Sequence, residues 1–330
     1  MLVSLIIPCY NVSEKKLNRM MQSILTQIYQ KLQVILVDDG SADDTLTRLF
    51  NWKKYFDTKG IDCEIFRKPN GGIASAINLG LKYFTGKYVC FPDADDALEA
   101  EYVSSMVTYL EANPACNIVR CNFKVITKTA NHLAKIKLVD QDFNKYGFFK
   151  TALTNQIYTN VWPMLVRSDF LKQRIPNLHL YEGGILASQE LQLLLPLTYR
   201  TEVAHIKKPL YNYYIYADSH ARRSMGDSED TILTYNAKVK EVLLATLNTM
   251  PLTNAERDIY RDIGELCVAR LNMAIEYMST NVRYSCALLL AYLLNKYMKS
   301  TANIEALMIP ERFFFHSQRL HNYFLEQNSY

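Results

Sequence analysis

Short apolar runs alternate with segments of helical periodicity over the first 120 residues. Five runs are short and mostly apolar, as buried parallel strands are: residues 3–7, 34–37, 63–66, 88–91 and 118–121. Between the first two, a 4-3-4 spacing places Leu17, Met21, Ile24 and Ile28 on one helix face. Helices are also predicted over residues 72–84, over residues 98–110 and, after the second run, from Leu46, Leu49, Phe50 and Phe56. The order βαβαβαβαβ predicts a parallel sheet covered by helices on both faces.

The alternation loosens between about residue 130 and residue 216. Residues 161–166 and 203–207 predict strands there, and residues 189–199 predict a short helix broken near Pro196. After Ser228 the pattern is helical, and Thr253 stands three residues before Glu256, which is capping-box spacing. Further helices are predicted near residues 282–298 and 311–327. The patterns divide the chain into an α/β domain, residues 1–225, and an all-helical C-terminal region, residues 226–330.

The composition is that of an ordinary globular protein, with 49% hydrophobic and 21% charged residues among 330. A net charge of +4 is too small to indicate a nucleic-acid partner, although it allows a local basic patch. The seven cysteines form no CxxC pair, which favours reduced thiols and a cytoplasmic location. The apolar N-terminus reads as a strand ended by Pro8, and no apolar run approaches the roughly 20 residues of a membrane span.

Polar and acidic residues follow four of the predicted strands, where the carboxyl ends of parallel strands form one edge of a sheet. Each cluster alone is typical of an ordinary turn. Four at successive strand ends indicate a ligand site; the clusters are residues 8–11, 38–41, 68–72 and 93–96.

The last of these clusters is the most informative, because Asp93 and Asp95 repel one another and nothing in a strand requires them. Mg²⁺ or Mn²⁺ bound by one or two carboxylates and by substrate phosphates would remove the repulsion. The alternative is a solvated acidic turn that caps the next helix.

The chain resembles family 2 glycosyltransferases with the GT-A fold over roughly residues 2–223. The segments that carry the resemblance are VSLIIPCYN, VILVDDGSADDT, NGGIASAINLGL, KYVCFPDADDAL and, more weakly, HIKKPLYNYYIYADSHARR. The resemblance implies an α/β fold: a Rossmann-like, mostly parallel sheet flanked by helices, followed here by the helical C-terminal region.

The resemblance also implies roles for the residues at the strand ends. Asp39 would pair with uracil, Asp38 would be structural, and Asp93 and Asp95, on either side of Ala94, would match the DXD pair that holds the metal, ribose and diphosphate. Asp95 would be the direct metal ligand and Asp96 a supporting residue. The remaining donor-binding residues by the same resemblance are Pro8, Tyr10, Asn11, Asn70, Gly71 and Asn78.

Two positions depart from the family pattern. Ile77 stands where the family commonly has arginine, so either another cation supplies that phosphate or nucleotide contact or the donor site differs. Counting back from Pro209-Leu210-Tyr211 places Gln189 and Glu190 where inverting members have Glu-Asp. The resemblance therefore implies that Glu190 is the general base. The alternatives are a glutamate at an ordinary helix N-terminus and, as a fallback base, Asp169.

A cationic cluster at residues 220–223 and an aromatic segment near the C-terminus suggest roles in binding the diphosphate and the acceptor. His220, Arg222 and Arg223 would form a lid that supplies charge to the diphosphate, or else a solvated basic turn. The final predicted helix would lie at a membrane interface near a lipid-linked acceptor, or form a core or homodimer face. Its aromatic, apolar and basic residues are Arg312, Phe313, Phe314, Phe315, Arg319, Leu320, Tyr323 and Phe324.

The resulting hypothesis is a metal-dependent, inverting glycosyltransferase in the cytoplasm or at the inner face of the membrane. It would move a sugar from a UDP-sugar to a hydroxyl of a glycan, a lipid-linked or a protein-linked acceptor. The alternative is a catalytically silent GT-A module that binds a nucleotide sugar or a partner glycosyltransferase. A nicotinamide dehydrogenase is excluded, because residues 8–14 contain no glycine.

Overall fold

The computed structural model of the chain describes residues 1–128, 134–139, 147–153, 160–185, 189–216 and 229–265. Its strands are β1 Val3–Cys9, β2 Leu32–Asp38, β3 Asp62–Arg67, β4 Tyr88–Cys90, β5 Ala97–Leu98, β6 Ile118–Lys128, β7 Ala134–Val139, β8 Met164–Arg167 and β9 Val203–Ile215. Its helices are α1 Glu14–Leu25, α2 Thr45–Thr58, α3 Ile73–Gly80, α4 Tyr102–Ala112, α5 Phe148–Leu153, α6 Ser168–Arg174, α7 Gln189–Thr198 and α8 Glu229–Thr249. A 3₁₀ turn covers Pro176–Leu178, and residues 254–265 are helical.

These strands form one nine-stranded sheet in the order β3-β2-β1-β4-β8-β6-β9-β5, with β7 on β6. Strands β1 to β4 are parallel, and β6 and β9 are parallel to each other. Strand β8 lies between β4 and β6 and is antiparallel to both. The mostly parallel sheet is therefore confirmed, but the expected unbroken parallel order of the first five strands is wrong. The hydrophobic period could not predict the insertion of β8 between β4 and β6, because β8 begins more than forty residues after the start of β6.

The predicted elements hold with shifted ends. In α1, Leu17, Met21 and Ile24 are buried, but Ile28 is 61% exposed because the helix ends at Leu25. The helix expected from residue 98 begins at Tyr102, since Ala97 and Leu98 pair with β9. The predicted break at Pro196 is wrong, because α7 continues through it.

Two hydrophobic cores lie on opposite faces of the sheet. Alternate residues of β1 point to each face: Leu5 and Ile7 pack with α1 and α4, while Ile6 packs with α3 and α7. Helix α8 adds Val242, Leu243 and Leu247 to the second core. The described beginning of the C-terminal region thus shares a core with the α/β domain.

The predicted capping box at Thr253 is confirmed. The Thr253 hydroxyl accepts from the amide of Glu256 at 3.2 Å, and the Glu256 carboxylate accepts from the amide of Thr253 at 3.0 Å. No helix among the described residues is long and apolar enough to cross a membrane. The predicted helices at 282–298 and 311–327, and the proposed domain boundary after residue 225, lie outside the described residues.

Candidate active site

The loops that follow β1 and β2 are tied together at the carboxyl edge of the sheet. The amide of Asn11 donates to Oγ of Ser41 at 2.9 Å, and Oδ1 of Asn11 accepts from the amide of Ala42 at 2.9 Å. Asn11 adopts a left-handed conformation with φ of 47°, which asparagine tolerates well. Beside it, Tyr10 is 41% exposed and Pro8 is paired within β1. The loop therefore presents the Tyr10 ring to solvent, as its predicted place beside a base requires.

The carboxylate of Asp39 is buried and already engaged by the protein. Oδ1 accepts from Nζ of Lys68 at 2.9 Å and from the amide of Gly71 at 3.0 Å, and Oδ2 accepts from the amide of Gly72 at 2.8 Å. A carboxylate offers about four acceptor positions, so these three bonds leave about one. Pairing with uracil would use that position or displace Lys68.

Residues 70–72 form a tight turn that brings backbone close to this pocket. The side chain of Asn70 accepts from the amide of Gly72 at 3.2 Å, and Gly72 has φ of 87°. A Cβ on Gly71 would lie 2.7 Å from Nζ of Lys68 and 2.7 Å from Oγ of Ser75. These are side-chain ends, whereas a Cβ on Gly72 would lie 2.8 Å from the backbone Cα of Ile185, so glycine is required at Gly72 and the approach of Gly71 to a nucleotide stays a prediction.

Asn78 has a different environment from the direct donor contact that was predicted. It is 3% exposed, and its Nδ2 donates to the carbonyl of Leu180 and to Oε1 of Glu182, each at 2.8 Å. Its Oδ1 accepts from the amide of Leu180 at 2.7 Å. Both amide protons are used, so the structure assigns Asn78 to holding residues 180–182. The neighbouring Ile77 is buried in the core, so no charge replaces the family's arginine there.

The acidic loop after β4 is anchored by strand β9. The Asp96 carboxylate is fully buried and accepts from the Tyr211 hydroxyl and from the amide of Tyr214, each at 2.8 Å. The Tyr211 hydroxyl also accepts from the amide of Asp93 at 3.1 Å. Asp96 is thus the supporting residue that was expected. In the sequence, Pro209-Leu210-Tyr211 serves only as a landmark, and no local signal identifies Tyr211 and Tyr214, more than a hundred residues later in the chain, as partners of Asp96.

Negative charge accumulates at this loop. Burial raises the pKa of Asp93 well above its usual value, and the carboxylates of Asp95 and Glu190 raise it further. Hard oxygen donors whose charges repel one another fit Mg²⁺ or Mn²⁺, which proteins often bind through one or two carboxylates. In the part of the chain that the structure describes, no group of three or more His, Cys, Asp or Glu side chains is arranged to hold a metal. Asp93 and Asp95 are the residues that could hold one.

Glu190 lies at the first turn of α7, close enough to Asp93 for its charge to act there. Its Oε2 accepts from the amide of Val161 at 2.7 Å, and Oε1 lies 3.5 Å from Nδ2 of Asn160. Burial raises the pKa of Glu190 to about 7, against the lowering effects of these hydrogen bonds and of Arg120. A carboxyl group with this pKa can accept a proton near neutral pH.

Asp169 is excluded as the fallback base. It lies in α6, which starts directly after β8, and Arg167 at the end of β8 pairs with Tyr88 at the start of β4. Asp169 is therefore at the opposite edge of the sheet from Asp93. The predicted lid residues His220, Arg222 and Arg223 lie outside the described residues.

The sequence that forms this sheet and its loops matches the model of a known family. Residues 4–172, about half of the chain, match the family model described as glycosyl transferase family 2. The chain belongs to this family. The resemblance noted in the sequence is thereby confirmed, and the fold is GT-A-like.

Relatives and solved structures agree with this assignment. The chain is 30% identical to a poly-beta-1,6-N-acetyl-D-glucosamine synthase of Staphylococcus epidermidis over 42% of its own length and 32% of the relative. The chain spans about a third of the length of the first curated relatives it matches. S. aureus TarS 1-349 in complex with UDP-GlcNAc superimposes with a TM-score of 0.61 at 18% identity, covering 89% of this chain and 80% of that TarS fragment. The mannosyltransferase PcManGT of Pyrobaculum calidifontis, in complex with GDP-Man and Mn2+, gives 0.51 at 15% identity, covering 88% and 80%.

Proposed function

We propose that this glycosyltransferase transfers a sugar from a UDP-sugar to an acceptor hydroxyl by a metal-dependent single displacement that inverts the anomeric centre. The observation that carries the proposal is the position of Glu190, with a pKa of about 7, beside Asp93 at the carboxyl edge of the sheet. A proton acceptor and an acidic pair at one edge are what a displacement at a sugar diphosphate needs.

The donor half of the site supports a UDP-sugar. Under this proposal Asp39 would pair with the base, and the turn at Asn70 and Gly71, whose backbone bonds to Asp39, would let the backbone approach the nucleotide. The fold neighbour TarS binds UDP-GlcNAc, while PcManGT binds GDP-Man, so GDP-sugars are the natural comparison donors. An acidic carboxylate pairs with the uracil imide through a charge-assisted hydrogen bond.

Asp93 and Asp95 would hold Mg²⁺ or Mn²⁺ together with the donor diphosphate. The bound ion would neutralise the charge that develops on the leaving diphosphate. Asp96 keeps the loop in place through Tyr211 and Tyr214 rather than by reaching the ligand, because both of its oxygens are engaged.

The acceptor half of the site centres on Glu190. Its carboxylate would take the proton of the acceptor hydroxyl as that oxygen attacks the anomeric carbon. The amide of Val161 fixes Oε2, which orients the group before the acceptor arrives. A glycan, a lipid-linked or a protein-linked hydroxyl would serve as acceptor; the poly-N-acetylglucosamine synthase relative makes a glycan the first to test.

We also propose a cytoplasmic enzyme that works at the inner face of the membrane. Under this proposal the helical C-terminal region, residues 226–330, would bind the acceptor, form a homodimer face or make peripheral membrane contact, and no nucleic acid would be involved.

Donor turnover by the purified protein tests the function. UDP-GlcNAc with Mn²⁺ is expected to yield UDP, and EDTA is expected to abolish both donor binding and turnover. Asp95→Ala should lower turnover by orders of magnitude while the melting temperature stays close to that of the wild type. Transfer from a UDP-α-sugar should give a β-linked product.

Three results would contradict the proposal. Undiminished turnover in EDTA removes the metal, and an α-linked product removes inversion. Binding of UDP-GlcNAc with Mn²⁺ but without turnover, in the presence of a panel of glycan acceptors, would favour the catalytically silent module instead.

A further inference from the structure

Arg19 of α1 contacts the backbone of the acidic loop. Its Nε donates to the carbonyl of Asp96 at 3.3 Å, and its Nη2 donates to the carbonyl of Asp95. The residue is 76 positions before Asp95 in the chain, and the sequence analysis gave it no role. One guanidinium thus joins two successive peptide carbonyls of the loop that carries the acidic pair.

The guanidinium is itself fixed by aromatic stacking. Its carbon lies 3.6 Å from the centre of the Tyr214 ring and 5.6 Å from that of Tyr216. The amide of Tyr214 is the group that donates to Asp96. Arg19 and β9 therefore form one assembly around residues 95 and 96, in which the stacked cation is held in a single plane.

This arrangement matters because the loop holds like charges. Asp93 and Asp95 repel each other when no cation is bound, and the repulsion favours loop conformations that separate them. The orientation of the Asp95 peptide units sets the direction of its carboxylate. A planar, two-carbonyl contact opposes rotation of these units, and its positive charge offsets part of the repulsion.

We propose that Arg19 is a positioning residue for the metal-binding loop, which sets the affinity for the divalent cation and its nucleotide without touching either. The inference rests on the proposed metal role of Asp93 and Asp95. It predicts that the planar fork matters and that positive charge alone is insufficient, since lysine offers a point charge and not two fixed parallel donors.

The test compares Arg19→Met and Arg19→Lys with wild type, and Lys15→Met serves as a control because Lys15 is exposed on the same helix. Titration of Mn²⁺ in the presence of UDP, followed by electron paramagnetic resonance, should show affinity reduced about 10–100-fold in both Arg19 variants. Hydrogen exchange in metal-free protein should be faster in the peptide covering residues 91–100 of both variants. The control should match wild type in both measurements.

Each outcome decides the inference. Unchanged Mn²⁺ affinity and unchanged exchange in Arg19→Met overturn it, and full recovery by Arg19→Lys overturns the requirement for the fork. If the wild type binds neither Mn²⁺ nor UDP, the proposed function fails. Faster hydrogen exchange of residues 91–100 in Arg19→Met would still show that Arg19 restrains the conformation of the acidic loop. Melting temperatures identify a variant that is globally unfolded, in which case Arg19→Lys, the milder change, gives the decision.

Discussion

The hydroxyl of Tyr211 donates a 2.8 Å hydrogen bond to Oδ2 of Asp96, which lies 115 residues earlier in the chain. Both side chains are fully buried. The same hydroxyl accepts from the amide of Asp93 at 3.1 Å, so one oxygen atom connects the two ends of the acidic loop. Strand β9 thereby fixes the place at which the acidic pair is presented.

Tyr211→Phe should lower both stability and metal affinity. The change leaves the buried Asp96 carboxylate with one donor fewer and the amide of Asp93 without its partner. Leaving such a buried polar group without its partner costs about 1–3 kcal/mol of the free energy of unfolding. Urea unfolding and Mn²⁺ titration in the presence of UDP measure the two effects.

Tyr102→Phe is the matched control for that substitution. The Tyr102 hydroxyl is also buried, but it donates to the carbonyl of Trp162 at 2.6 Å and not to the acidic loop, and phenylalanine keeps the ring that packs against Tyr211. Its loss should reduce stability and leave Mn²⁺ affinity unchanged. Equal losses of metal affinity in the two variants would show that Tyr211 acts through general stability alone.

Asp39→Asn should weaken UDP binding by about 10–100-fold, because a charge-assisted hydrogen bond to the base is worth about 1.5–3 kcal/mol. Asparagine keeps the shape that the turn at Gly71 and Gly72 needs better than alanine does. Isothermal calorimetry measures the affinity. Asp57→Asn removes an exposed charge from α2 and should bind UDP like wild type. An Asp39→Asn protein with wild-type affinity would mean that Asp39 serves Lys68 and the turn, and that the base lies elsewhere.

Glu190→Gln should reduce turnover by about 10²–10⁴-fold, the usual contribution of a positioned general base. Glutamine can still accept from the amide of Val161, so the local fold is retained. Donor affinity should be nearly unchanged, because the residue acts on the acceptor. Steady-state transfer rates with donor binding measured in parallel check this. Near-normal turnover would mean that the general base is another residue. It would then be an acidic residue between β9 and α8, since Asp169 lies at the opposite edge of the sheet from Asp93.

The raised pKa of Glu190 also predicts a pH dependence of stability. The native group has a pKa of about 7 against 4.5 ordinarily, so the folded protein binds more protons than the unfolded chain between these values. The wild type should therefore lose stability relative to Glu190→Gln as pH rises from 4.5 to 7, by at most about 3 kcal/mol. Urea unfolding of metal-free protein across this range measures the difference. A difference that stays constant with pH would show that folding does not shift the pKa of Glu190.

Local patterns in the sequence were sufficient to predict most of the strands and helices and the edge of the sheet at which the candidate site residues meet. The apolar runs became β1 to β4, and the clusters that follow them, including Asp39 and Asp93, meet at the carboxyl edge. The capping box at Thr253 was equally readable, since both of its partners lie within one helical turn. These features depend on residues that are close together in the chain, so the hydrophobic period and the types of the neighbouring side chains are enough to predict them.

Tertiary contacts decided what each site residue can do. Asn78 shares its motif with donor-binding residues, yet Leu180 and Glu182, about a hundred residues later, occupy its amide group. Asp169 was excluded only when β8 was found antiparallel to β4, which places the start of α6 at the far edge. Arg19, Tyr211 and Asp96 come together from three distant segments. Such contacts produce no periodic pattern in the sequence, because the order and direction of the strands in the sheet bring these residues together. Neighbours along the chain do not determine them.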